Sequence, residues 1–399
     1  MRPLHLLSHA SLLLISALSA HAQGLVAVQN YSGDFQADEP LTWSIYSRGG
    51  YDVLDYGVTS PLLQNFESFY LQGGVGATFK EADPTTSWSA SLDLGATHYL
   101  DEIPRYNDTF YNARAAFNIA HQISERLKIS NNFYLTYEAQ PSLTTGGSTT
   151  LFNGQYLYGF NNFNVSYAWS QRFSTTTSYT VDGIMYQDDI VSGLEDRLSH
   201  LIAQQFTYAM TKRTSLVAEY RYKNVRYRYR KDVNSFSHFA LAGVDHAWSE
   251  RFTGSFRAGA EFFKSSRAKN TAPYGEVALN YAVAKQTQAR WFGAVGFDGA
   301  ELGAFDSRYS VRTGLNVSHQ INKRVAVNAG TSYAYSDFDA GIAGTDVTEH
   351  SVLLSAGISY QILENLAVDA GYSYSVLSSD DALREFNRHN ISLGLTASF

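Results

Sequence analysis

The densest run of charged side chains lies in residues 219–231. It holds Glu219, Arg221, Lys223, Arg226, Arg228, Arg230 and Lys231, interleaved with Tyr220, Tyr222, Tyr227 and Tyr229. Residues two apart share one face of an extended chain, so Arg221 and Lys223 fall opposite Tyr220 and Tyr222. The phase changes at Asn224–Val225, which predicts a β-bulge. Beyond it Arg226, Arg228 and Arg230 rejoin the face of Arg221 and Lys223. Such a track attracts anionic solutes or an acidic glycan. Two structural readings compete with it. In one, carboxylates on neighbouring strands neutralise an interior ladder, with Glu219, Asp245, Glu261 and Glu276 as candidates. In the other, the end of a long strand meets phosphates of a lipid surface. Selectivity in a pore is set by a ring of one charge sign rather than by one strand, which favours the structural readings.

Little else offers chemistry. The chain has 0 Cys, which excludes disulfides, thiolate nucleophiles and cysteine-ligated metals. Asp188, Asp189 and His200 flank one loop and form the best available aspartate–histidine site. His98, His121, His246 and His319 fall near strand ends. None belongs to a nucleophile–base motif, so no enzyme activity is expected. Acidic residues collect at Asp188, Asp189, Asp298, Asp337, Asp339, Asp346, Asp380 and Asp381 without calcium-loop spacing, so no metal or cofactor is expected. A net charge of −7 lacks the basic excess of a nucleic-acid binder.

The elements that must position these residues are strands. Val352, Leu354, Ala356, Ile358, Tyr360 and Ile362 alternate with Ser355, Gly357, Ser359 and Gln361, and the same period of two recurs from Leu41 onward. The runs are roughly 11–15 residues long, whereas strands of soluble proteins cluster near 5–6 and a membrane crossing needs about 9–11. Short polar turns, as at Ser124–Arg126, Thr211–Arg213 and Asn322–Arg324, alternate with longer connections such as Ala139–Asn153 and Asp337–Thr348. Trp88, Trp169, Trp248, Trp291 and several tyrosines flank the apolar segments, as in the aromatic girdles of membrane barrels. This pattern predicts an all-β fold, a transmembrane antiparallel up-and-down β-barrel of about 18 strands, with 16 open because residues 154–186 and 198–230 are ragged. Arg2, the apolar run at Leu12–Leu18 and Ala20-His21-Ala22 read as a signal peptide over 1–22. Residues 23–40 then form a short periplasmic extension and 41–399 the barrel.

The last strand carries a resemblance. Ile391, Leu393, Leu395, Ala397 and Phe399 alternate to a terminal aromatic, and this resembles the C-terminal assembly signal of bacterial outer-membrane proteins. The mature chain as a whole is similar, in architecture and turn style, to the β-barrel porins of the porin-2 type, some of which resemble barrels associated with exopolysaccharide export. The resemblance implies the outer membrane of a Gram-negative-type bacterium. It also implies contact with outer-membrane lipid and lipopolysaccharide, and delivery by the barrel assembly machinery. The function expected is a porin-like channel for passive passage of small hydrophilic solutes, anions or saccharides among them. The alternatives are an exopolysaccharide-export barrel, in which Tyr134, Tyr156 and Tyr158 stack on sugars, and a plugged structural or adhesive barrel. The sequence leaves the oligomeric state open.

Overall fold

The computed structural model describes residues 40–58, 64–103, 107–139, 155–284, 286–298, 305, 307–339 and 344–399. The expected signal peptide and all of the 23–40 extension except Pro40 lie outside the described residues.

Period-two alternation resolves into 18 strands in one sheet. They are β1 (Leu41–Tyr56), β2 (Phe66–Ala82), β3 (Thr86–Tyr99), β4 (Thr109–Gln122), β5 (Leu127–Glu138) and β6 (Tyr156–Ala168). Next come β7 (Phe173–Tyr186), β8 (Arg197–Ala209), β9 (Thr214–Tyr227), β10 (Ser235–Ala247), β11 (Phe252–Ser265) and β12 (Lys269–Ala284). The last are β13 (Thr287–Asp298), β14 (Ser307–Gln320), β15 (Val325–Asp339), β16 (Val347–Leu363), β17 (Leu366–Ser379) and β18 (Phe386–Ser398). A short helix α1 (Asp189–Glu195) occupies the β7–β8 connection. Each strand pairs antiparallel with its sequence neighbour, and β1 pairs with β18 from Ser44↔Ser398 to Tyr56↔Phe386. The sheet therefore has no edge, as a sheet in hydrocarbon requires, because lipid cannot satisfy open backbone groups.

The count is eighteen, not sixteen. The two ragged stretches form β6 to β9 in unbroken register. Their alternation reads poorly because polar residues stand on the outer face and satisfy one another across strands. Asn131 donates to Asn161 at 2.9 Å and Thr177 to Gln204 at 2.7 Å.

The faces are sorted as a membrane barrel demands. Trp43, Ile45, Phe69, Leu71, Ile202, Ile358, Ile391 and Leu393 are exposed on the outer wall. Asn162, Asn164, Thr136, Ser178, Thr180 and Gln205 are buried on the inner wall. Every histidine from His98 onward faces outward and bonds a hydroxyl on the adjacent strand. His200, His238, His350 and His389 meet Tyr179, Tyr220, Tyr333 and Tyr372, always on a strand pair near its long-connection end. His121, His246 and His319 meet Thr86, Thr214 and Thr287 at the short-turn rim. His98 bonds Thr109 at 2.9 Å. His200 is thus engaged with Tyr179 at 2.7 Å on the outer wall.

The chain end closes the seam. Ile391, Leu393, Leu395 and Phe399 are exposed outward with Ala397 on the same face. Phe399 exchanges backbone hydrogen bonds of 2.8 Å with Trp43.

Candidate channel wall

The inner wall changes character along the barrel. At the long-connection end it carries large apolar clusters, and residues from the connections fold onto them. Leu54, Tyr56, Phe66, Tyr70, Tyr99, Phe110, Leu377 and Phe386 form one buried cluster with Ile103 of the β3–β4 connection. Phe305, between β13 and β14, packs on Phe338 and Val347, and Val233, between β9 and β10, packs on Val225 and Tyr227. Burying these rings is worth about 1.5–3 kcal/mol each at full burial, which draws the connections inward. Toward the short-turn end the wall is polar.

Charged side chains occur along the inner wall from one end to the other, and most are paired. On β9, Arg221 is held from both sides: its Nε lies 2.7 Å from Glu219 and its Nη2 2.7 Å from Glu276 of β12. Tyr274 donates to Glu276 at 2.9 Å and accepts from Arg221 at 3.3 Å. Asp245 does not join Arg221. It pairs with Arg257 of β11 at 2.8 Å, and Arg257 also approaches Glu219 at 3.9 Å. Arg257 lies directly opposite Gly243 in the ladder. A Cβ at Gly243 would collide with the carbonyl of Phe256 and come within 2.6 Å of the Arg257 Cδ, so glycine leaves the room in which Arg257 lies flat against the wall. Glu261 is fully buried and accepts the backbone N–H of Phe297 at 2.9 Å.

A second set stitches the seam between first and last strands. Arg388 of β18 donates to Asp52 of β1 at 2.9 and 2.6 Å, and Tyr99 donates to the same carboxylate at 3.0 Å. Arg48 of β1 donates to Asp369 of β17 at 3.2 and 3.0 Å. Elsewhere Arg114 pairs with Glu138, which accepts from Tyr156 at 2.6 Å, and Arg384 pairs with Glu349. The seam pairs Arg388–Asp52 and Arg48–Asp369 span distant sequence positions that share an inner-wall level only once the barrel closes. Sequence reading missed Arg48, Asp52, Asp369, Arg388 and Arg257. Setting the first strand beside the last is the signal that finds the first four.

The cationic track predicted along one strand is not continuous. No bulge occurs at Asn224–Val225: β9 stays in register with β8 and β10 throughout. Glu219, Arg221, Lys223, Val225 and Tyr227 therefore share the inner face, while Arg226 lies outward and exposed, and Arg228, just past the strand, is exposed and pairs with Asp196 at 3.8 Å. Arg230 falls beyond the strand, 3.4 Å from Asp232. The expected phase change assumed that tyrosines face lipid along the whole strand. At the long-connection end the inner wall itself carries apolar clusters, so Tyr227 packs inward with Val225 and Val233, and an outward arginine there needs no burial in hydrocarbon.

Three inward cations are not held by a contacting carboxylate among the described residues. Lys223 is within electrostatic reach of the part-buried Asp182. Arg290 of β13 faces inward between Asn280 and Asn316, its direct partners on the flanking strands. Lys128 of β5 stands opposite Gln122 and Ser166. The last two lie near the short-turn rim. No cluster of three or more metal-binding side chains occurs among the described residues.

A closed up-and-down barrel with an apolar outer wall and a charged, polar inner wall is a membrane β-barrel of the outer-membrane type. The family model described as "Putative beta-barrel porin 2" matches residues 101–399, and the chain belongs to that family. It is a porin-like outer-membrane channel protein. No curated protein sequence matches the chain. Among solved structures it is similar to OccAB4 of Acinetobacter baumannii, at 11% identity, 90% of this chain, 99% of that chain and a TM-score of 0.47. It is similar to OccK9 (OpdG) of Pseudomonas aeruginosa at 10% identity, 90% and 98% coverage and a TM-score of 0.47. For OpdK of Pseudomonas aeruginosa, solved with vanillate, the values are 10%, 90%, 99% and 0.45. No residue of this chain takes a role from these likenesses.

Proposed function

We propose that the barrel passes small hydrophilic solutes passively and favours anions, and that Arg290, Lys128 and Lys223 set this preference. The observation that carries the reading is the contrast in pairing on the inner wall. Arg221 and Arg257 are consumed by Glu219, Glu276 and Asp245, so they present little net field to a solute. Arg290 and Lys128 have no such partner among the described residues and keep their charge toward the lumen, where a polar wall can replace part of an ion's hydration.

A glycan conduit is less well supported. Tyr156 and Tyr158 are 2% and 5% exposed, and they pack with Ile184 against Tyr134, Phe160 and Tyr186. Rings buried against one another are not free to stack on sugars. The wall residues serve as charges and hydrogen-bonding groups, and the reading requires no covalent step.

The test is reversal potential in planar bilayers under a KCl gradient, using the refolded full chain. Wild type is expected to conduct with anion preference, and Arg290→Glu with Lys128→Glu to abolish or invert it. Cation preference in wild type, no change in the double variant, or no conductance from a folded barrel would each overturn the proposal.

A further inference from the structure

The outer wall of β9 to β12 carries a second charged region that passive transport does not use. Its outward positions from the short-turn rim upward are apolar or neutral. On β10 and β11 they include Ala242, Ala240, His238 and Phe236, and Phe256, Ala258, Ala260 and Phe262. No carboxylate occupies any outward position of β8 to β12. Cations then appear together at the long-connection edge: Arg226 at the end of β9, Lys264 on β11 and Lys269 on β12, all exposed, while Arg228 just beyond β9 pairs with Asp196 at 3.8 Å.

Their arrangement is costly without a ligand. Lys264 and Lys269 are direct cross-strand partners, a relation that holds Cβ atoms about 4.5–5.5 Å apart and makes like charges repel. Lys264 stands over the Phe236 ring at 5.8 Å, and Phe236 is the direct partner of both Lys264 and Asn224. Asn224 accepts from the Arg226 Nε at 3.0 Å, which steers that guanidinium along the outer wall. The nearest exposed acid is already committed. Burial opposes ionisation of Asp232, but its backbone hydrogen bond and the guanidiniums of Arg230 and Arg267 outweigh it and hold the carboxyl below its ordinary range. The same rim elsewhere is acidic, with Asp55 on β1, Glu67 on β2, and Asp337 and Asp339 on β15 facing outward.

One row below the cations lies an aromatic shelf, Tyr222–His238–Phe262 across β9, β10 and β11. Below that, Ala240 pairs with Ala260 and Ala242 with Ala258, flanked by Tyr220 and the Phe256 and Phe262 rings. Small side chains between large ones leave space for an acyl chain along the wall.

We infer that this sector binds a phosphorylated glycolipid of the outer leaflet. Arg226, Lys264 and Lys269 hold its phosphates at the headgroup level, and the Ala240–Ala260 strip receives an acyl chain. Charge complementarity selects the occupant: a phosphate between Lys264 and Lys269 removes their repulsion, and the acyl chains meet a face with no opposing charge. A soluble anion would use the cations but gain nothing from the apolar strip.

The test uses the full chain folded in detergent and examined by intact-complex mass spectrometry. Bis-phosphorylated lipid A, dephosphorylated lipid A, phosphatidylcholine and inorganic phosphate are titrated separately. Wild type is expected to retain bis-phosphorylated lipid A over the other three. Each cation removed should weaken binding about fivefold, so Arg226→Gln with Lys264→Gln and Lys269→Gln should lose roughly a hundredfold. Lys264→Arg with Lys269→Arg should keep binding, which separates lost charge from a disturbed fold. A heat-modifiable gel shift reports folding, and should the triple variant fail it, Lys264→Gln alone is scored instead. Equal retention by a folded charge-removed variant, equal retention of dephosphorylated lipid A, or displacement by inorganic phosphate at comparable concentration would each overturn the inference.

Discussion

Arg221 and Arg226 stand on the same strand, five positions apart, and belong to opposite environments. Arg221 is enclosed by Glu219 and Glu276 on the inner wall. Arg226 is exposed on the outer wall and bonded to the neutral Asn224. A buried guanidinium loses hydration and must be compensated on the spot, whereas one at a membrane rim keeps water and meets headgroups. The inner charges of this sector therefore hold strands together, and Arg226, Lys264 and Lys269 on the outer wall face what lies beside the barrel.

That comparison breaks most visibly at Arg221. Arg221→Ala leaves Glu219 with only the more distant Arg257 at 3.9 Å and the part-buried Glu276 without its arginine, and should cost about 3 kcal/mol in denaturant unfolding of the folded barrel. Arg221→Met together with Glu219→Gln and Glu276→Gln should recover most of the loss, because the uncompensated charges go as well. A loss no larger for the single variant than for the triple would show that the cluster contributes only packing.

Gly243→Val comes next. It drives a side chain into the Phe256 carbonyl and the Arg257 stem, and overpacking of this kind costs about 1–3 kcal/mol. The same substitution at an outward alanine such as Ala242 should change the unfolding midpoint far less.

Arg290→Gln sharpens the contrast between paired and unpaired inner cations. Anion preference in bilayers should fall while the unfolding midpoint stays within about 0.5 kcal/mol of wild type. The smallest effect is expected at Arg226→Gln, which should leave both selectivity and unfolding unchanged within the same margin. A selectivity change there as large as at Arg290 would place Arg226 in the lumen.

Much of this architecture was legible in the sequence because a sheet in lipid has few solutions. Alternation over long runs, short turns against longer connections and the terminal strand ending at Phe399 all pointed to a closed barrel. The course of β9 was not legible. The rule that tyrosine faces lipid and arginine faces water holds in the hydrocarbon zone, but Tyr227 lies where the inner wall carries an apolar cluster and the outer wall meets headgroups, so local pattern pointed the wrong way. The seam pairs were hidden for another reason: Asp52 and Arg388 are 336 residues apart, and only closure makes them neighbours. Arg290 was passed over because an isolated arginine in an alternating strand carries no motif. Its distinction is the absence of an acid at the paired positions Asn280 and Asn316, a property of register rather than of composition.

The central claim is that β9 runs without a bulge and so separates its cations between two walls. The chain has 0 Cys, so single cysteines can be placed at Lys223, Arg226 and Arg228 and modified with a charged, membrane-impermeant methanethiosulfonate while single-channel conductance is recorded. The account predicts a conductance change on modification at position 223 and none at 226 or 228, with reaction at all three confirmed by mass. Conductance changes at 226 and 228 that match the one at 223 would mean that all three share the lumen, and would contradict it.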